Sequence, residues 1–459
     1  MEPEWVEHSI WWHLYPLGFL GADPTGADRT PGRTLADLVP WLDHAQELGC
    51  SGIALGPIFA SSTHGYDTLD HFAIDERLGT EADFDTFVAA CHERGLRIML
   101  DGVFNHVGRQ HPDLLAALEG GPQAPTAGMF ALEWDEHGRA SIGDFEGHDL
   151  LAALDHGSPQ VRRLVTDVMT RWCAKGVDAW RLDAAYAVPA DFWAGVLPAV
   201  REAHPEVYVV GEVIHGDYVD IVERSGMDAV TQYELWKAIW SGLEERNLYE
   251  TAWTMGRHEE LLDRFVPWTF VGNHDVTRIA SQLSDERMLA HALLLLLTLG
   301  GTPAIYAGDE HAFRGVKEER EGGDDEIRPP FPDTPEGLSS LGEPTYHLHQ
   351  ELIGLRRRHP WLHRARHEQR HLANEQLLYV MSPREGATDD GSGGDDGQSR
   401  DGDDGAPGGE RLVVALNLAD DGAVLPADPE IAGLPVLAGQ AEATEDGLLL
   451  PPLGWAVLG

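Results

Sequence analysis

Asp183 ends the apolar run Val177-Asp178-Ala179-Trp180-Arg181-Leu182-Asp183, and Glu212 ends another, Tyr208-Val209-Val210-Gly211-Glu212. The two runs lie about one strand-helix-strand unit apart, which predicts two carboxylates at the ends of adjacent strands. Asp275 closes a third run, Phe270-Val271-Gly272-Asn273-His274-Asp275. A carboxylate at the end of a buried strand is costly to leave without a partner or a task. A convergent set of them can supply the nucleophile and the general acid that cleave a glycosidic bond.

Neighbours separate the candidate roles. The two-residue period of a strand points Arg181 and Asp183 to one face. An Arg beside a carboxylate favours its ionised form, which suits a nucleophile; a purely structural ion pair is the other reading of the same two residues. Glu212 follows apolar Val209 and Val210 and has no basic neighbour in sequence. Desolvation beside a second carboxylate raises a carboxyl pKa, which suits a general acid. Retaining glycosidases hold the pair roughly 5 to 5.5 Å apart, a spacing that adjacent strands can provide.

Short apolar runs alternate with amphipathic segments from Ile10 to about Asp309, the rhythm of repeated strand-helix units around a parallel sheet. Strands are expected near Ile10 to Tyr15, Gly52 to Leu55, Arg97 to Val103, Asp178 to Leu182, Val207 to Gly211, Ala229 to Tyr233, Trp268 to Val271 and Pro303 to Tyr306. That is the number a closed (β/α)₈ TIM barrel needs, and polar residues crowd the C-terminal strand ends, where such barrels carry their sites. The barrel is assigned to 1–106 and 159–365, and 107–158 to an inserted subdomain that walls one side of a cleft. From 366 to 459 short strands predict a C-terminal antiparallel β-sheet domain, interrupted by an acidic Gly/Asp-rich loop over 384–410. That loop reads as a disordered hairpin extension or, alternatively, as Asp-rich calcium repeats.

The chain has 459 residues, 42% of them hydrophobic, with 14 Trp, enough for a sizeable core. Its formal charge of -44, from 33 basic and 77 acidic residues, argues against nucleic acid and anionic membrane and for a neutral small-molecule ligand. The same acidity reads either as a solubility device or as adaptation to high salt. Cys50, Cys91 and Cys173 have no paired spacing for zinc or a disulfide framework and read as buried free thiols. The N-terminal residues carry no basic region followed by an apolar stretch, so a cytoplasmic protein is expected. The apolar run Ala292 to Leu299 is too short to span a bilayer. Neither a dinucleotide nor a nucleotide-phosphate fingerprint is present.

Several separated motifs, in order, resemble the α-amylase family of retaining glycoside hydrolases. Asp101-Gly102-Val103-Phe104-Asn105-His106 resembles its Asp-x-x-x-Asn-His segment, and Gly176 to Ala185 its Gly-Phe-Arg-x-Asp segment. Val210-Gly211-Glu212 resembles the acid/base segment, and Phe270 to Asp275 the Asn-His-Asp segment; Gly301 to Tyr306 with Asp309-Glu310 matches the eighth strand. The resemblance implies Asp183 as nucleophile, Glu212 as acid/base and Asp275 as transition-state stabiliser. It further implies that His106 and His274 donate to sugar hydroxyls, that Tyr66 of His64-Gly65-Tyr66-Asp67 stacks on the ring, and that Arg181, Asp67 and Arg328 belong to the substrate site. Asp101 and Asn105 are expected behind these, Asp101 orienting Arg181. Trp11, Trp12 and Tyr15 are read mainly as core.

Departures from the family pattern carry information too. The Leu-Pro-Asp-Leu segment that supplies a calcium ligand corresponds here to Leu151-Ala152-Ala153-Leu154-Asp155, and the family's His beyond the nucleophile is replaced around Tyr186-Ala187. Ala153 cannot ligate, so no cofactor and no calcium at that site are expected. Ala184 after the nucleophile resembles enzymes acting on α-1,4 bonds. Thr63 stands where exo-acting α-glucosidases carry Asp. The expectation is therefore an α-1,4-glucan hydrolase working through a covalent glucosyl-enzyme. The alternatives are an α-glucan transglycosylase (a 4-α-glucanotransferase or disaccharide-forming enzyme) and, remotely, a non-catalytic interaction protein. Oligomeric state is not encoded in any motif.

Overall fold

A computed structural model describes residues 2–320, 322–384 and 410–459. The core is an eight-stranded parallel sheet made of β1 (Trp11–Leu14), β2 (Gly52–Leu55), β3 (Arg97–Gly102), β4 (Ala179–Leu182), β5 (Tyr208–Gly211), β6 (Ala229–Val230), β7 (Trp268–Phe270) and β8 (Thr302–Tyr306). β1 pairs with both β2 and β8, and a parallel bridge from Thr231 to Trp268 joins the remaining edges. The sheet closes into a (β/α)₈ barrel.

Local chemistry sets these elements. All four residues of β1 are buried, so both faces of the strand must be apolar or satisfied, and Trp11 and Trp12 are wholly enclosed. Trp12 stacks on Trp41 of the helix Val39–Leu48 with ring centroids 6.1 Å apart. A Cβ at Gly52 would come within 2.6 Å of the Trp11 ring, so only glycine lets β2 lie this close to β1. The helix Glu81–Glu93 opens with a capping box between Thr80 and Asp83, and Pro159–Ala174 opens on Ser158 with Pro at its first position.

The sixth strand is shorter than its sequence suggests. The run Ala229 to Tyr233 is apolar enough for a longer strand, but a helix begins at Tyr233 and runs to Glu244. Gln232 marks the switch, its N–H donating to Trp268 O at 2.9 Å and its side-chain oxygen accepting Leu235 N–H at 3.3 Å. A hydrogen-bonding side chain there offers the backbone a cap instead of a ladder.

Between β3 and β4 the insertion builds a small antiparallel sheet from His106–Gly108, Asp144–Phe145 and His148–Ala153, with a separate hairpin of Leu132–Trp134 and Ala140–Ile142. Near the C-terminus an antiparallel sheet runs in the order Arg366–Ala373, Gln376–Ser382, Leu412–Asn417, Trp455–Leu458, Val436–Gly439. Leu378, Val413, Ala415, Leu425, Leu448, Leu450 and Leu458 form the core between it and a second sheet of three strands. Most of the Gly/Asp-rich loop assigned to 384–410, namely 385–409, lies outside the described residues.

Within the described residues the chain forms two compact units. One comprises Met1–Trp236, Pro267–Gln282 and Thr302–Gln350, and holds all eight barrel strands and the insertion. The other comprises Lys237–Val266, Leu283–Gly301 and Glu351–Gly459, and unites the helices Leu248–Leu262 and Leu289–Thr298 with the C-terminal sheets. The three cysteines are buried and free. No helix among the described residues is long and apolar enough to cross a membrane.

Candidate active site

Strand register brings the carboxylates together. Arg181 pairs with Asp101 across β4 and β3, and Leu182 pairs with Gly211 across β4 and β5. Asp183 and Glu212 therefore leave neighbouring strands side by side. The ladder continues one residue past each strand, with Asp183 N–H donating to Gly102 O at 3.1 Å and Glu212 N–H to Leu182 O at 2.8 Å.

Arg181 occupies the centre of the cluster. Its Nη1 donates to both oxygens of Asp101, at 2.7 and 2.6 Å, and reaches Asp183 Oδ1 at 3.4 Å. Its Nη2 lies 2.6 Å from Glu212 Oε1 and 3.9 Å from Asp275 Oδ2. One guanidinium thus faces four carboxylates. The contact of Arg181 with Asp183 expected from the sequence is present, as is the expected hold of Asp101 on Arg181, but the shortest contacts go to Asp101 and Glu212. Burial first, and the charge of Glu212 second, push the Asp183 carboxyl well above the usual carboxylate range, while Arg181 pulls it the other way. Asp101 is likewise raised, by burial.

Glu212, without a basic neighbour in sequence, has one in space. It is fixed further by Ala184 N–H, which donates to Oε2 at 3.0 Å, and by Tyr233 OH, which donates to Oε1 at 3.3 Å. Ala184 sits in the left-handed region at φ 46°, ψ 38°, a conformation that costs a non-glycine residue about 1 kcal/mol or more. Its reward is the N–H aimed at Glu212.

Tyr233 carries no motif and its sequence suggests only the end of a strand; its place at the first turn of a helix brings the phenol to Glu212. Asn273 Nδ2 donates to Tyr233 OH at 3.0 Å, and Asn273 Oδ1 accepts Asp275 N–H at 2.8 Å. A continuous chain of hydrogen bonds therefore links Glu212 to the backbone of Asp275.

Burial works to raise Asp275, but His274, Arg328 and Arg181 outweigh it and hold the carboxyl well below its ordinary value. His274 Nε2 lies 3.0 Å from Asp275 Oδ2, and Arg328 Nη2 donates to Oδ1 at 2.8 Å. Arg328 Nε also donates to His274 O at 2.8 Å, and its guanidinium lies 4.6 Å from the centre of the Tyr15 ring. The His274 ring lies parallel, within 2°, to both Tyr15 and Tyr66, at centroid distances of 6.1 and 5.7 Å. Tyr66 OH contacts His274 Nε2 and donates to Asp101 Oδ2 at 3.2 Å. Tyr15, read from sequence as core, is buried but shapes this wall of the site.

His106 and Asp67 have contacts of their own. His106 Nε2 donates to Tyr66 O at 3.0 Å, while Asn105 Nδ2 donates to His106 Nδ1 at 3.2 Å. Burial lowers the His106 pKa to about 4, so the ring is neutral at pH 7. Phe145 of the insertion stacks on it at 4.8 Å, and Glu146 accepts a hydrogen bond from Tyr186 OH at 2.8 Å. Asp67 accepts Thr63 N–H at 3.0 Å and Thr63 Oγ1–H at 2.7 Å. Its carboxylate is spent on closing the loop that carries Tyr66.

Comparison with known proteins gives a consistent match. Residues 13–124 and 145–376 match the family model for the α-amylase catalytic domain. A cyclomaltodextrinase of Geobacillus thermopakistaniensis is 31% identical over 389 residues, covering 79% of this chain and 64% of that protein. A maltogenic α-amylase of Bacillus acidopullulyticus is 30% identical over 338 residues, covering 68% of this chain and 58% of that protein. The chain thus spans less than two thirds of the length of these curated relatives. The solved ligand-free cyclic α-maltosyl-(1→6)-maltose hydrolase from Arthrobacter globiformis superposes with a TM-score of 0.77 at 24% identity, covering 100% of this chain and 99% of that chain. Barrel closure, the ordered motifs and the matched family model agree: the chain belongs to the α-amylase catalytic-domain family.

Proposed function

We propose that this chain is a retaining α-glycoside hydrolase acting on α-1,4-linked maltooligosaccharides or related α-glucans. The observation that carries the reading is the single guanidinium of Arg181 bridging Asp183 and Glu212 at the ends of adjacent strands, with Asp275 3.9 Å from the same nitrogen that meets Glu212. In the first step the ionised form of Asp183 attacks the anomeric carbon while the protonated form of Glu212 gives its proton to the departing glycosidic oxygen. In the second, Glu212 takes a proton from water, whose oxygen displaces Asp183 and releases the sugar. Asp275, held anionic by His274 and Arg328, stabilises the positive charge that develops on the ring in both steps. Asp101 holds Arg181 in place, and Tyr66, His274 and Arg328 form the wall against which the sugar is received.

The names of the relatives, cyclomaltodextrinase and maltogenic α-amylase, support hydrolysis of α-glucans. Two relatives from Bacillus subtilis are named intracellular maltogenic amylases, which supports a cytoplasmic location. The residues near the insertion do not fit the family's calcium. Ala153 offers no side-chain oxygen, and the single amide oxygen of Asn105 does not make a site for a hard cation.

The test is the anomeric form of the first product, followed by NMR during maltotriose cleavage. Release of the α-anomer supports double displacement; initial release of the β-anomer overturns it. Asp183→Asn and Glu212→Gln should each lower kcat by about 10³-fold or more. Products formed at high maltose concentration separate hydrolysis from transglycosylation.

A further inference from the structure

Away from the carboxylate cluster, the barrel carries a second group of buried ligating side chains. His44 lies on the helix between β1 and β2, while Glu310 and His311 lie in the turn that follows β8. One nitrogen from each histidine and one Glu310 oxygen all fall within 4.8 Å of one another. Glu310 is wholly buried; its Oε1 lies 3.1 Å from His44 Nε2, and its Oε2 accepts Gly308 N–H at 2.7 Å.

His311 is the anomaly. Both of its ring nitrogens are shut off from solvent, and neither has a hydrogen-bond partner. A neutral imidazole must present one N–H and one lone pair, and burying both without partners is expensive. The ring is held where it costs most, stacked against His44 at 5.5 Å and against Tyr346 at 5.2 Å. Gly342 closes over it so tightly that a Cβ there would lie 2.6 Å from His311 Nδ1.

We infer that His44, Glu310 and His311 form a divalent transition-metal site, with zinc the best match, that pins the turn after β8 to the helix after β1. Two imidazoles and a carboxylate are the donor set that zinc prefers over calcium or magnesium. Bonds of about 2.0 to 2.1 Å put neighbouring donors of a tetrahedral ion about 3.2 to 3.5 Å apart. The pair His44 Nε2 and Glu310 Oε1, at 3.1 Å, is close to that spacing, so a small swing of the His311 ring completes three corners. The Gly308 N–H then holds the carboxylate from behind, as second-layer donors do in zinc sites. The residues bridge the seam where β1 pairs with β8, and their contacts involve none of Asp183, Glu212 or Asp275, so the role is structural.

The full chain, stripped with EDTA and dialysed, tests this. Titration with Zn(II) against a chromophoric chelator should give one tight equivalent, and Co(II) should give the visible absorption of a tetrahedral ion. His311→Ala removes a ligand that has no hydrogen bond to lose and should abolish that equivalent. His44→Gln keeps a donor for Glu310 but no imidazole, and should weaken binding at least tenfold. Zinc should raise the Tm of the parent chain and not of either variant. Failure of the stripped parent to bind either metal overturns the inference, as does unchanged binding by a folded His311→Ala chain. Neither result bears on the glycosidase reading.

Discussion

Two buried arginines in the same compact unit show how identical chemistry is put to different ends. Arg77 is fully enclosed and every contact suits it: Nε and Nη2 reach the two oxygens of Asp75 at 2.8 and 2.7 Å, Nη2 also reaches Ser61 Oγ at 2.8 Å, and Nη1 donates to Asp23 O at 2.8 Å. Burial alone would raise Asp75, yet Arg77 and Ser61 hold it below its ordinary pKa. Arg181 is overcommitted. It faces Asp101, Asp183, Glu212 and Asp275 at once, and Asp183 is left high. A satisfied pair stabilises the fold; a cation shared among four anions leaves the ionised form of Asp183 undercompensated, which costs stability and makes that form the stronger nucleophile.

The sharpest way to break this comparison is to remove each cation. Arg181→Met should lower kcat by about 10³-fold or more, about 4 kcal/mol of transition-state stabilisation. Arg77→Met should instead destabilise the fold by about 3 kcal/mol, because it leaves the buried Asp75 carboxylate with only the more distant Arg29, at 3.6 Å, and Ser61, while the folded fraction keeps its kcat. Denaturant titrations beside steady-state kinetics read both quantities. Equal loss of kcat in the two variants would erase the distinction.

Removing the carboxylates tests the same contrast through pH. Asp183 has a folded pKa above its unfolded value, so its favourable contribution is present below about pH 4 and is lost as pH rises through the folded pKa. Asp183→Asn should therefore be more stable than the parent at pH 7, by about 1 to 2 kcal/mol, with the gap closing towards pH 4. Asp75 has a depressed folded pKa, so its contribution is present above about pH 4 and is lost as pH falls through the folded value. Asp75→Asn should be the less stable chain at pH 7. Thermal melts across pH 4 to 8 decide it, and a destabilised Asp183→Asn would contradict the reading of strain.

The smallest effect is expected at Tyr233, whose hydroxyl is one of three donors on Glu212. Tyr233→Phe should lower kcat by roughly tenfold or less and shift the pH-rate profile, since one neutral hydrogen bond contributes about 1 kcal/mol. Loss as large as that of Arg181→Met would mean that the phenol takes part in the reaction.

What sequence could tell depended on whether the deciding contact was local. Arg181 and Asp183 share a strand, so the two-residue period placed them on one face without knowledge of any partner. The strand-end positions of Glu212 and Asp275 followed from apolar runs that stop at a charge. Arg181 reaching Glu212 depends on the register of β4 against β5, and register leaves no mark within either run. The pKa of Asp183 is set by burial and by Glu212, both properties of the assembled barrel, so the neighbour in sequence pointed the wrong way. Tyr233 stayed hidden because its phenol is aimed by a helix start that an apolar run resembling a strand obscures. The stacked pair His106 and Phe145 joins residues from opposite ends of an insertion whose path no periodicity reveals.

The crowding around Arg181 has a pharmacological consequence. Two guanidiniums, Arg181 and Arg328, stand against four carboxyl groups, and with Glu212 carrying the proton it donates the anions of Asp101, Asp183 and Asp275 still leave the reactive pocket short of positive charge. The sugar ring acquires that charge only as the glycosidic bond breaks. A ring-shaped amine or amidine, protonated and flattened, brings it permanently, and such a molecule should be held far more tightly than the neutral glucoside it imitates.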